Sequence, residues 1–260
     1  MNMQCQQIAL DNLNKLVSSN RHTIIITGPS SCGKTYLAKE WGKLLGVTDF
    51  YMCSPIVSDI KATIDLIVSD RTPVVLCIEN LDQGQVKAAY PLLKLLEECP
   101  EYLYACVTCS NIRDIPDTIV SRCSVIDVGN PSQSDLAQYS KSINVSRYET
   151  LKDQIIWKCV RGFADAKEVL EFDANKLDYF SKLKDIIPFK DTVSNISWKL
   201  QNYNDNTKTN LIIVIRYMYH LFESPHDKKA CIKCLDDLNR GVISKSAVLS
   251  KFILENKYCE

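Results

Sequence analysis

Five short apolar runs punctuate the first half of the chain. Residues 23–27 (TIIIT), 47–53, 73–78 (PVVLCI), 102–108 and 124–128 are too short for helices, and the first is wholly β-branched, so each predicts a buried strand. Between them apolar residues recur at helical spacing over 8–17, 36–45 (stopped by Gly46), 58–68 and 86–98. Ser58 is the expected cap of the third of these helices. Pro91 lies inside the fourth, where a kink is expected. Short buried strands alternating with helices predict a parallel sheet covered on both faces, an α/β fold. The pattern changes at Gly129-Asn130-Pro131-Ser132, a linker candidate. Beyond it the periodic segments are all helical: 134–141, 148–160, 164–172, 211–222, 227–239 and 245–256, with the polar run 202–210 (NYNDNTKTN) setting the last three apart. No internal repeat is visible.

Composition narrows the class. Hydrophobic residues make up 46% and charged residues 24%, as in ordinary globular proteins. Lysine plus arginine equals aspartate plus glutamate at 31 each, so any nucleic-acid contact needs a local patch. Of the 12 cysteines, several sit in apolar runs (Cys77, Cys106, Cys109), and Cys231-x-x-Cys234 has no second pair to complete a zinc site. Reduced thiols packed as small apolar side chains are expected, which implies a reducing compartment. The first residues, MNMQCQQIALDNLNKL, lack the basic start and apolar core of a signal peptide. The apolar runs fall far short of the ~20 residues needed to span a bilayer, so a soluble, cytoplasmic protein with no membrane partner is expected.

The candidate chemistry lies at two strand ends. After the first strand comes Gly28-Pro29-Ser30-Ser31-Cys32-Gly33-Lys34-Thr35, which fits G-x-x-x-x-G-K-[ST] in the required strand-to-helix context. In such a loop the glycines let the backbone wrap a phosphate, and the loop and helix N-terminal amides point at the anion. Lys34 reaches the β and γ phosphates of ATP and Thr35 offers its hydroxyl to Mg²⁺. Tyr36 completes the cofactor-binding stretch. Without ligand, the Lys34 side chain is expected to face solvent. The third strand, VVLCI, stops on Glu79, an acid placed to hold the magnesium shell beside the phosphate loop. Asn80 follows, and an amide cannot accept a proton as a general base does.

Two further stretches carry a family resemblance. Residues 78–100 (IENLDQGQVKAAYPLLKLLEECP) and 108–123 (TCSNIRDIPDTIVSRC) resemble the bacterial clamp-loader ATPases, the gamma and delta-prime subunits, kin to replication factor C. The family pattern of an acidic strand end, a leucine-rich LLK-x-LEEP helix, a strand with a polar terminus and a Ser-Arg-Cys triplet is met in order and spacing over 22–128. The resemblance implies an AAA+ P-loop domain (1–130), a small helical lid (131–175) and a helical collar (176–260) through which subunits join in a ring, expected to be a pentamer of like or different subunits. The length resembles trimmed, phage-encoded members, which would work in the host cytoplasm, and the zinc-binding insertion of the bacterial gamma subunit is absent. By the same resemblance Arg122 (Ser121-Arg122-Cys123) reaches the ATP of a neighbouring subunit. Asn111 contacts the γ phosphate or orients water, with Thr108 and Ser110 as alternatives. Ser58, Lys61 and Lys87 contact the phosphates of primer-template DNA.

Two positions depart from the family pattern. Glu79-Asn80 stands where an acid pair is usual. Asp165 stands near where the lid carries an arginine, leaving Arg161 or Lys167 as substitutes. The expected function is therefore an ATP-binding, weakly hydrolysing subunit that helps load a sliding clamp onto primed DNA. The alternatives are a non-hydrolysing delta-prime-like subunit of such a ring and an AAA+ regulator without a clamp.

Overall fold

A computed structural model describes residues 4–84, 89–186, 208–221 and 225–240. The chain divides into two compact units, Met1–Tyr139 and Ser140–Glu260.

The first unit is built on five parallel strands: β1 (Thr23–Thr27), β2 (Asp49–Cys53), β3 (Val74–Ile78), β4 (Leu103–Cys109) and β5 (Ser124–Asp127). Their spatial order is β2-β3-β4-β1-β5. All four neighbouring pairs run parallel, with Ile26 opposite Thr108 and Cys77 opposite Cys106. The period of two sorts side chains to opposite faces. Ile24, Ile26, Val75, Cys77 and Cys106 face one core, which is completed by Ala9 and Leu13 of α1 (Gln4–Ser18) and by Leu37, Ala38 and Trp41 of α2 (Lys34–Leu44). Ile25, Val74, Leu76, Ile78, Ala105 and Val107 face the other, against Ile60 and Ile67 of α3 (Val57–Asp70) and Leu92, Leu95 and Leu96 of α4 (Ala89–Glu97). The short α5 (Asp117–Val120) lies between β4 and β5.

All five expected strands are present, each shifted by no more than two residues at either end. One local expectation is corrected. The cap of α3 is Ile56, in extended backbone and without a side-chain cap bond, while Ser58 lies within the first turn and donates to Asp59 at 3.1 Å. Pro91 is the third of the described residues of α4. The predicted start of that helix at 86–88, including Lys87, lies outside the described residues.

The second element set is helical, as expected. It comprises α6 (Gln133–Ile143, which spans the division), α7 (Val145–Leu151), α8 (Ile155–Lys158), α9 (Phe163–Glu171), α10 (Ala174–Ile186), α11 (Lys208–Leu221) and α12 (Pro225–Arg240). The single helix expected over 148–160 is two, broken at 152–154, and α10 was not foreseen. Lys208, Thr209 and Asn210, read as part of a polar connection, open α11. The helix expected over 245–256 lies outside the described residues. Cys32, Cys53, Cys77, Cys106, Cys109 and Cys159 are buried, unbridged thiols. Among the described residues no helix is long and apolar enough to cross a membrane.

Candidate nucleotide site

The C-terminal ends of β1, β3 and β4 converge on one edge of the sheet, where the loops that leave parallel strands collect functional groups. The 28–33 loop leaves β1. Gly28 is fixed there by close approach, since a Cβ would lie 2.4 Å from the Val128 carbonyl oxygen. Ser31 (φ 63°) and Gly33 (φ 94°) turn left-handed, which curls the loop before α2 begins at Lys34. Gln6 of α1 braces the loop from behind, its Nε2 donating to the Cys32 carbonyl at 3.3 Å. Cys32 is wholly buried, and burial pushes its thiol up despite the nearby Lys34 charge. Cys32 is thus a packing residue of the loop rather than a nucleophile.

Lys34 does not face solvent. Its side chain is buried, at 7% exposure, and Nζ donates to the carbonyls of Gly28 and Pro29 at 2.8 Å each. The ammonium finds its partners in the loop it belongs to. Thr35 Oγ1 donates to Glu79 Oε1 at 2.6 Å across 44 residues of sequence. A hydroxyl and a carboxylate that meet this closely supply the hard oxygen donors that Mg²⁺ prefers. Tyr36 is exposed, and burial of its hydroxyl end beside Glu40 raises its ionisation range.

At the end of β3 the chain turns sharply. Glu79 N–H donates to the Cys53 carbonyl at 3.0 Å, which keeps the strand paired to its last residue. Asn80 then adopts φ 50°, ψ 51°, a left-handed conformation that asparagine tolerates better than most residues. Its N–H donates to Thr108 Oγ1 at 3.0 Å. Asn80 therefore has a backbone reason to stand here, which the sequence pattern had not suggested.

The three candidate polar residues after β4 are distinguished by their partners. Thr108 is buried and accepts from Asn80. Asn111 caps a turn of 3-10 helix, Ile112–Asp114, with Oδ1 accepting from Arg113 N at 3.1 Å and Nδ2 donating to Asp114 at 2.9 Å. Ser110 makes no side-chain hydrogen bond among the described residues. Asp82 was not foreseen. Its Oδ2 accepts from the N–H groups of Ser110 (2.9 Å) and Asn111 (3.3 Å), and the cluster of polar residues that ends IENLD was the available signal.

Arg122 lies away from this cluster, partly exposed, just beyond α5. Its backbone carbonyl accepts from Thr23 Oγ1 at 2.7 Å. Nη1 donates to the Thr118 carbonyl at 2.7 Å and Nη2 pairs with Glu97 at 2.6 Å. The guanidinium is anchored at its own surface and keeps three further N–H donors. Ser58 and Lys61 are both exposed on α3, one turn apart.

In the second unit Asp165 is buried and committed. Its Oδ2 meets Arg216 Nη1 at 2.6 Å and accepts from Arg161 N–H at 3.0 Å. Arg161 is exposed, and Lys167 stands 3.9 Å from Glu171 on the same helix face. Among the described residues no group of three or more His, Cys, Asp or Glu side chains could hold a metal ion.

Residues 57–132 match the family model described as DNA polymerase III, delta subunit. That segment starts at α3, so the phosphate loop rests on its own motif and geometry. The whole fold is similar to a DNA polymerase III gamma subunit-related protein of Thermotoga maritima, at 15% identity and a TM-score of 0.56, covering 95% of this chain and 97% of that one. The RuvB Holliday junction branch migration motor of the same organism is more distant, at 11% identity and a TM-score of 0.46 over 75% of this chain and 82% of that one. No curated protein is matched by the sequence. The fold is α/β, similar along nearly the whole chain to that of the polymerase III gamma subunit-related protein.

Proposed function

We propose that the chain is an ATP-binding subunit of a clamp loader. The observation that carries this reading is the 2.6 Å contact between Thr35 of the phosphate loop and Glu79 at the end of β3, within a chain whose 57–132 segment matches a polymerase III subunit family. The contact joins the two groups that a nucleotide–magnesium complex needs side by side. In this reading residues 1–130 form the nucleotide-binding domain, 131–175 the lid and 176–260 the collar.

The loop from Gly28 to Gly33 wraps the phosphates with its backbone amides, aided by the N-terminus of α2. Lys34 exchanges its two loop carbonyls for the β and γ phosphates. Thr35 and Glu79 would hold Mg²⁺, which supplies charge neutralisation at the phosphate oxygens. Asn80 orients water through hydrogen bonds and takes no proton. Of the three candidates at the end of β4, Ser110 is the γ-phosphate reader in this account, because its hydroxyl is unengaged while Asn111 is committed to the following turn. Arg122, pre-oriented by Glu97 and Thr118, offers its remaining donors to the nucleotide of a neighbouring subunit. Ser58 and Lys61 lie one turn apart near the start of α3, where helix amides add to a DNA phosphate contact. Lys87 is a third candidate. The assembly is a cytoplasmic ring with like or different subunits that opens a sliding clamp onto primer-template DNA, with slow ATP hydrolysis.

A second reading is favoured by two observations: Asn80 replaces a carboxylate, and Asp165 is paired with Arg216 where the resemblance expects an arginine free to meet nucleotide. In that reading the subunit donates Arg122 to a neighbour and does not hydrolyse ATP itself. Copurification with a ring-shaped clamp in the presence of ATP tests both readings against a regulator without a clamp. ATP-dependent retention of the clamp is expected, and no retention with or without ATP contradicts the clamp-loader reading.

A further inference from the structure

We infer that Asp82 is a positioning residue for the γ-phosphate end of the site and thereby sets the preference for ATP over ADP. This deepens the nucleotide-binding reading and rests on it.

Two hydrogen-bonded ties cross between the ends of β3 and β4, and they run in opposite directions. The Asn80 N–H reaches across to the Thr108 hydroxyl at 3.0 Å. Two residues further along each strand end, the Asp82 carboxylate takes the N–H groups of Ser110 and Asn111 at 2.9 and 3.3 Å. A third tie comes from the phosphate loop, where Gly28 N–H donates to the Cys109 carbonyl at 3.2 Å. The peptide units from Cys109 to Asn111 are therefore held from both sides, by the loop that would wrap the phosphates and by Asp82.

The other Asp82 oxygen, Oδ1, is buried without a hydrogen-bond partner among the described residues. Among the described residues no competing donor draws the carboxylate away from the two amides. A carboxylate accepting backbone N–H groups makes stronger bonds than a neutral acceptor does. The result is a Ser110 whose backbone is fixed beside the phosphate loop while its hydroxyl has no partner among the described residues. A reader of that kind works when its backbone is held to within a fraction of an ångström. A hydroxyl in reach of a γ phosphate distinguishes ATP, which offers it an anionic oxygen, from ADP, which does not.

The test is titration of the full chain with ATP and with ADP, each with Mg²⁺. Asp82→Ala is expected to lose ATP affinity by about tenfold, the size of one charge-assisted hydrogen bond, while ADP affinity holds to within about twofold. Asp82→Asn keeps a carbonyl for the two amides and is expected to fall between Asp82→Ala and the parent. In a Ser110→Ala background, Asp82→Ala is expected to change the ATP/ADP ratio no further. If Asp82→Ala does not fold, Asp82→Asn alone and combined with Ser110→Ala carries the same comparison. An unchanged ratio, an equal loss for both nucleotides, or an Asp82→Asn as impaired as Asp82→Ala would each overturn the positioning role. A parent chain that binds neither nucleotide overturns the nucleotide reading and the inference with it, whereas ATP binding by the parent with an unchanged ratio in the variants overturns the inference alone.

Discussion

Replacing Lys34 with alanine should damage the free protein as well as its nucleotide binding. Lys34 Nζ is buried against two carbonyl oxygens at 2.8 Å. Hydrogen bonds to a charged group contribute about 1.5–3 kcal/mol each, but burying the ammonium offsets part of that gain. Water can also reach the Pro29 oxygen, which is only partly buried. A net loss of about 2 kcal/mol follows for Lys34→Ala. For a cooperative unit the size of Met1–Tyr139, 1 kcal/mol moves Tm by roughly 3–5 °C, so a drop of about 6–10 °C is expected without ligand. Differential scanning fluorimetry with and without Mg-ATP reads both effects. At 100 times Kd, ATP adds about 2.7 kcal/mol to the parent, a further rise of about 8–13 °C, and almost nothing to the variant. A variant that melts with the parent would refute the carbonyl-bound lysine. A variant whose Tm rises with ATP as the parent's does would refute the phosphate-loop assignment.

Four other substitutions or conditions probe neighbouring parts of the account. Glu79→Gln should abolish ATP turnover in the assembled ring, and turnover at the parent rate would remove Glu79 from the magnesium side of the site. Asn80→Asp should keep the fold and keep or raise turnover, whereas Asn80→Glu should cost about 1 kcal/mol of stability because glutamate is poorly suited to φ 50°; equal melting of the two variants by denaturant titration would contradict that backbone argument. Arg122→Ala should leave ATP binding by the free chain intact and lower turnover of the ring by ~10³, as for other arginines acting in trans; full activity of a ring carrying only the variant rules out the trans role. Burial raises Cys99 to about 11 and Cys123 to about 12 from a reference of 9.0. These thiols stay protonated when folded but ionise when unfolded, so their contribution to stability is intact below pH 9 and should fall as pH rises from 9 towards 12. Replacing both with alanine should flatten that part of the stability profile, and an unchanged slope argues against buried, neutral thiols.

The strands and the site were legible to different depths. Runs such as TIIIT and VVLCI fix buried strands because little else can bury five apolar residues in succession, and the phosphate loop is readable because its chemistry demands particular residues at fixed spacing. What the sequence left open depends on contacts between distant segments. Lys34 looked solvent-facing because its partners are backbone carbonyls, which no side-chain pattern records. Ser58 resembled a cap, but the extended backbone at Ile56 starts α3 two residues earlier. Asn80 read only as a missing base until its left-handed backbone and its tie to Thr108 gave it a local role. Gln6 and Asp82 were passed over because each acts on a backbone group, Gln6 on one 26 residues away and Asp82 on one 28 residues away. Asp165 stands out in the sequence as a departure, but its partner Arg216 lies 51 residues further along the chain, where no local pattern links the two.

The most direct measurement of the central claim is phosphate release by the purified chain with its ring partners, with and without primed DNA and a ring-shaped clamp. A clamp-loader subunit built on Thr35, Glu79 and Arg122 predicts slow ATP turnover that rises when DNA and clamp are added together and collapses in a ring carrying Glu79→Gln. Turnover that ignores DNA and clamp, or that survives Glu79→Gln, would contradict it.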